Sequence, residues 1–216
     1  KAEVKHKPNE ETIAAPLFVQ TLQVRERLLG PHHPDTIISL NDLGWLYYNL
    51  GRYDEGVHLC LRALDASQLT LGSEHPITLT CALYVGGLYQ SQGRYNEAEP
   101  LYLKILKTFE RTVGPEHPDT LVTVNNMGFL YQSQGRYDKA EPLYLRSLEA
   151  SERLLGPDNP STLVSVSNHG WLQLDQGSAK GREQFIRCLG GWTDTTTWRH
   201  HCLGVALDHP PTWLSI

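Results

Sequence analysis

The sequence predicts an all-α solenoid of stacked helical hairpins, and three observations carry the prediction. A 42-residue period runs through the chain, glycines recur at that period between apolar stripes of helical spacing, and a His-Pro-Asp-Thr-like segment opens each unit. Leu88-Tyr89-Gln90-Ser91-Gln92-Gly93-Arg94-Tyr95 returns unchanged at 130–137, and Ala98-Glu99-Pro100-Leu101-Tyr102-Leu103 returns unchanged at 140–145. Gly51, Gly93, Gly135 and Gly177 keep the same spacing. Four tandem units follow, with half a unit ahead of them.

Each unit divides into two helices. The first starts at His33-Pro34-Asp35-Thr36, His75-Pro76-Ile77-Thr78, His117-Pro118-Asp119-Thr120 or Asn159-Pro160-Ser161-Thr162. Proline is tolerated at the first helical position, where its missing N–H has no intrahelical partner to lose, and Asp35 or Asp119 meets the positive end of the helix dipole. The turn glycine ends it in a left-handed cap. Between these limits, apolar or small residues fall at i, i+3, i+4, i+7: Leu40, Leu43, Gly44, Tyr47, then Ala82, Val85, Gly86, Tyr89, then Val124, Met127, Gly128, Tyr131.

The second helix carries Tyr53, Gly56, Cys60, Ala63, then Tyr95, Ala98, Tyr102, Ile105, then Tyr137, Ala140, Tyr144, Ser147, and closes at Gly72, Gly114 or Gly156. Small residues between tyrosines let helices approach while the rings fill the gaps. Pro100 and Pro142 sit early in these helices, where a lost backbone bond costs least. Neither helix buries its stripe alone, so the core comes from stacking neighbours.

The expected organisation is an N-terminal extension at 1–9, the second helix of a truncated repeat at 10–30, and the array at 31–177 with helix pairs at about 34–71, 76–113, 118–155 and 160–189. Ala14, Pro16, Phe18 and Leu22 stand in the places of Ala140, Pro142, Tyr144 and Leu148. The fourth unit is degenerate, because its stripe Val166, His169, Gly170, Gln173 is more polar. Beyond Gly177 the register is lost, leaving a helix stump and an irregular tail at 178–216. The chain opens on Lys1 rather than Met and its only methionine is Met127, so a fragment of a longer protein is expected.

Composition narrows the function. A net charge of -5 argues against a nucleic-acid binder. There is no run of 18 apolar residues and no apolar leader after Lys1, so membrane insertion and secretion are not expected, and a cytoplasmic setting is. Cys60, Cys81, Cys188 and Cys202 form no CxxC pair, which reads as reduced thiols. No GxxxxGK[ST], GxSxG or HExxH motif is present, so neither an enzyme nor a cofactor is expected.

The Gly-x-x-Tyr pattern of the first helices (Gly44 to Tyr47, Gly86 to Tyr89, Gly128 to Tyr131), the turn glycine and the Tyr-x-x-Ala that follows resemble the tetratricopeptide repeat. The 42-residue length and the LGP-x-HPDT linker are similar to its kinesin-light-chain type, over roughly residues 10–177. That resemblance implies a right-handed superhelix whose first helices line a concave groove for a partner peptide, as in an adaptor. Similar arrays end large nucleotide-binding signalling proteins, where the role is that of a sensor or regulator.

Two rows of candidate groove residues follow the period: Trp45, Gly87, Phe129, Trp171 and Asp42, Tyr84, Asn126, Asn168, with Asn49 near the end of the first helix of the first full unit. Aromatics supply rigid contact area, and an asparagine amide both donates to and accepts from a peptide backbone. Asn126 and Asn168 match the groove asparagines of the family. Packing of Trp45, Phe129 and Trp171 between adjacent first helices is the structural alternative.

Within 34–50, 76–92, 118–134 and 160–176 there is no Lys or Arg. Arrays that hold chaperone carboxylates, and kinesin-light-chain grooves that hold acidic Trp-containing peptides, rely on basic side chains there. This sequence departs from both, so the expected ligand is a neutral or weakly basic, partly apolar peptide facing Asp35, Asp42, Asp119 and Asp175.

Arg52, Arg94 and Arg136 recur after the turn glycines, as a basic row or as turn residues paired with nearby acids. His33, His75 and His117 belong to separate repeats, whose helices lie about 8–10 Å apart, so they do not converge on a metal and read as linker residues. The tail residues Cys188, His200, His201, Cys202 and His209 have ligand chemistry without the spacing of a zinc module.

Overall fold

The computed structural model of the chain describes residues 10–177. Among them are helices and no strand: α1 (Glu10–Leu29), α2 (Pro34–Asn49), α3 (Tyr53–Leu71), α4 (Pro76–Ser91), α5 (Tyr95–Thr112), α6 (Pro118–Ser133), α7 (Tyr137–Leu155) and α8 (Pro160–Asp175). The fold class is the expected one, all-α and built from helical hairpins. The expected extension at 1–9, the stump and tail at 178–216, and the cysteine and histidine cluster within that tail lie outside the described residues.

The chain divides into two compact units at Gly93 and Arg94. Each runs second helix, complete hairpin, first helix: α1, α2–α3 and α4 in one, α5, α6–α7 and α8 in the other. In the first unit the interior is built from Ile37, Leu40 and Leu43 of α2, Cys60 and Ala63 of α3, and Val85 and Leu88 of α4. In the second it is built from Ile105, Val124, Met127, Leu130, Ala140, Tyr144 and Leu172.

The helix starts follow one local rule. His33, His75 and His117 each turn the ring so that Nδ1 accepts the backbone N–H of Asp35 (3.2 Å), Ile77 (3.2 Å) and Asp119 (3.3 Å), with proline at the first helical position between them. Asn159 does the same with Oδ1 and the N–H of Ser161 at 3.0 Å. These residues are N-caps, which satisfy a backbone donor that has no partner inside the helix. Thr36 and Thr120 donate back to the carbonyls of Gly30 and Gly114, which ties each linker to the first turn of the helix it enters. Gly51 and Gly135, between the helices of the complete hairpins, take φ of 72° and 71°, a left-handed conformation in which a Cβ is strained.

The second helices run straight through Pro16, Pro100 and Pro142. Each ring is exposed and lies beyond the first turn, so one i→i−4 bond is given up on the side where water replaces it. Tyr53 departs from the expected buried stripe of α3: as the first residue of the helix it stays largely at the surface, against the ring of Tyr48.

Candidate functional site

The candidate groove residues lie on first helices, and each unit holds its own group. In the first unit Asp42, Trp45 and Asn49 follow one another on α2 at i, i+3, i+7, and Tyr84 comes from α4, which packs beside α2. The Trp45 ring stacks on Tyr48 at 4.4 Å between centroids with 27° between planes, and meets Tyr84 at 5.8 Å in a tilted contact. Trp45, Tyr48 and Tyr84 form one aromatic surface, and Tyr84 is almost wholly enclosed.

That surface carries polar atoms without partners. Trp45 Nε1 and Asn49 Oδ1 are shielded from water and make no hydrogen bond among the described residues. A donor and an acceptor one turn apart on the same helix are left in that state at a cost in stability. Asp42 is half-buried beside them. Burial raises its carboxyl above the usual range, and the positive field of Arg25 opposes that rise. Arg25 is itself held by the Asp35 carbonyl at 3.1 Å and Ser39 Oγ at 2.6 Å. Burial, then the charge of Asp42, drives the Tyr84 hydroxyl well above the ordinary tyrosine range, so it stays a neutral donor.

In the second unit Asn126 and Phe129 lie on α6, with Asn168 and Trp171 on α8. Phe129 is 37% exposed, Asn126 is half-buried, and Asn168 is buried. Neither asparagine side chain makes a hydrogen bond among the described residues, although each sits inside a helix where an amide without a partner is a poor choice.

Tyr48 belongs to neither of the two rows that the repeat period singles out; its signal in the sequence is its place three residues after Trp45 on the same helix face. Asn41 lies outside those rows as well. It is buried, donates through Nδ2 to Cys81 Sγ at 2.9 Å, and belongs to the helix packing rather than to the surface.

The recurring arginines are paired with acids. Arg52 holds Glu55 in a bidentate contact, Arg94 holds Glu97 at 2.7 Å, and Arg136 reaches Glu99 at 3.0 Å while lying over the Tyr131 ring. Glu99 also accepts from the Tyr131 hydroxyl at 2.9 Å, which joins α5 to α6. Their charge is therefore committed to turn geometry, and exposed pairs of this kind contribute little to stability. Among the described residues no helix is long and apolar enough to cross a membrane.

The tetratricopeptide repeat pattern matches residues 11–55 and 121–180 in one form, and residues 36–77 and 78–119 in another. No curated protein matches the sequence. Several solved structures share the fold. One contains the nearly identical TPR-like repeats of a Podosopora anserina protein assigned as a kinesin light chain: 23% identical, TM-score 0.66, over 84% of this chain and 87% of that one. BtubC (BKLC) from P. vanneervenii is 22% identical with TM-score 0.67, over 94% of this chain and 77% of that one. A signal transduction ATPase with numerous domains that has a tetratricopeptide repeat sensor, PH0952 from Pyrococcus horikoshii, is 14% identical with TM-score 0.62, over 94% of this chain and 30% of that one.

Proposed function

The chain belongs to the tetratricopeptide repeat family, and from that premise we propose that it is a non-enzymatic interaction module, an adaptor that holds a partner peptide on the faces of its first helices. The observation that carries this reading is the pair Asn126 and Asn168. They recur at the repeat period and their carboxamides make no hydrogen bond among the described residues, as amides reserved for a peptide backbone would. Trp45, backed by the enclosed Tyr84 in one unit, and Phe129 and Trp171 in the other, supply apolar contact area; Asp42 and Asn49 extend the polar part of the site in the first.

The ligand this surface favours is neutral or weakly basic and partly apolar. First helices without Lys or Arg give an acidic partner no counter-charge, whereas Asp42 favours a positive one. A cytoplasmic setting goes with this reading. A second reading, a sensor array within a nucleotide-binding signalling protein, is supported by the likeness to the Pyrococcus protein. There the array works by stacking on parent domains, and the asparagines do not matter.

The test is selection from a peptide-display library on the purified chain, with the double variant Asn126→Ala, Asn168→Ala in parallel. The adaptor reading expects a shared motif that the variant no longer enriches. No motif, or enrichment indifferent to the variant, overturns it and leaves the sensor reading.

A further inference from the structure

Three polar groups on one face of α2 are left without a partner. Asp42, Trp45 and Asn49 stand at i, i+3, i+7, so their side chains follow one another along the helix. Trp45 Nε1 is a donor and Asn49 Oδ1 an acceptor, and neither makes a hydrogen bond among the described residues. The Asp42 carboxylate makes no hydrogen bond or ion pair among them either. Arg25, the cation whose field reaches it, is held instead by the Asp35 carbonyl and Ser39 Oγ.

The group lies on the side of α2 that meets α4: the Trp45 ring contacts the Tyr84 ring, and the charge of Asp42 reaches the Tyr84 hydroxyl. No other first helix repeats it. At the register of Asp42 stand Tyr84, Asn126 and Asn168, and at that of Asn49 stand Ser91, Ser133 and Asp175. Buried polar groups are nearly always paired, so a donor, an acceptor and a charge left open on one face are explained by a ligand that supplies all three partners.

We propose that Asp42, Trp45 and Asn49 form a subsite for one arginine of an extended partner peptide, which rests on the groove reading above and gives the first unit a specificity of its own. In an extended chain the N–H and C=O of one residue point to the same side, as in a hydrogen-bonded pair of strands. Here they meet Asn49 Oδ1 and Trp45 Nε1, whose residues lie one helical turn apart, about 6 Å along α2. The side chain then runs over the indole to Asp42, about 4.5 Å further along the helix. Arginine suits this carboxylate better than lysine, because its planar fork gives parallel N–H bonds to both oxygens and a guanidinium is less strongly hydrated than an ammonium. Tyr48 stacks on the indole, and its hydroxyl accepts from Ser91 Oγ at 3.1 Å at the surface; the ring turns aside to admit the peptide.

The probe is the blocked tripeptide acetyl-Leu-Arg-Leu-amide, with counterparts that carry citrulline or lysine in the middle. Citrulline keeps the shape of arginine and loses its charge. Each peptide is titrated into the isotope-labelled full chain while the Trp45 indole N–H resonance is followed, and Trp45→Phe identifies that resonance by removing it. Thermal melting checks that Asp42→Asn and Asn49→Leu are folded before they are titrated.

The expected result is a saturable shift of the indole resonance, with the citrulline peptide at least about tenfold weaker than the arginine one and the lysine peptide weaker as well. Asp42→Asn removes the preference for arginine over citrulline. Asn49→Leu weakens both peptides by the same factor, because the backbone they share loses its acceptor. Absence of a saturable shift, equal affinity for arginine and either counterpart, or a preference that survives Asp42→Asn overturns the proposal. The tripeptide is read at Trp45 in the first unit, whereas the display selection is read at Asn126 and Asn168 in the second. A selected motif lost with the asparagines, beside a tripeptide bound without preference, removes the subsite and leaves the groove reading; the reverse pair of results removes the role of the asparagines and leaves the subsite.

Discussion

The backbone of Gly44 passes so close to Gly56 that a Cβ on Gly56 would stand 2.7 Å from the Gly44 carbonyl oxygen. The obstacle is main chain, which cannot rotate away. At the registers of Gly56 and Cys60, the α6–α7 hairpin carries Ala140 and Tyr144 instead, and there the ring rather than the backbone fills the space against the first helix. The same hairpin is thus packed in two ways within one chain, and each pair of residues is consistent only with its own spacing.

Gly56→Ala is therefore expected to destabilise the chain by about 1–3 kcal/mol, as overpacking does, despite the roughly 1 kcal/mol by which alanine favours a helix over glycine. Thermal melting of the variant checks it. A melting temperature that rises would mean that propensity wins and that α2 and α3 separate freely.

His117→Ala removes the acceptor of the Asp119 N–H and is expected to cost about 0.5–2 kcal/mol, the usual value of a lost N-cap. His117→Asn should restore most of it, because Asn159 caps α8 in the same place. Urea melts of the two variants decide the matter: equal losses would show that the ring acts through packing and not through Nδ1.

The raised Asp42 carboxyl makes a prediction with a definite sign. The folded chain binds that proton more tightly than the unfolded chain, so ionisation costs stability as pH climbs from the unfolded value through the folded one. Asp42→Asn removes the cost and is expected to raise the melting temperature at neutral pH. The gap should close below about pH 3.9, the ordinary aspartate value, where the native carboxyl is neutral too. A variant that melts lower at neutral pH would show instead that attraction to Arg25 outweighs desolvation.

Much of the fold is legible in the sequence. Repetition fixes how many hairpins there are, proline and glycine mark where helices start and turn, and the apolar spacing names the buried side, because these signals act within a few residues of one another. The capping role of His33, His75 and His117 is less plain. Asn159 at the same register is the clue, since asparagine is a favoured cap, but a histidine caps only when its ring turns Nδ1 toward the chain.

An all-α hairpin repeat was readable from the residues alone, as was the placement of the candidate groove residues on its first helices. The surroundings of those residues came from the folded chain. Folding puts Trp45 on Tyr48 and Tyr84, leaves Trp45 Nε1 and Asn49 Oδ1 without a hydrogen-bond partner among the described residues, and turns the arginines onto nearby acids. It also leaves Phe18 bare where Tyr144 is covered. The physical reason is common to all of these: periodicity states which side of a helix faces inward, while burial and hydrogen bonding depend on which neighbouring helix arrives there.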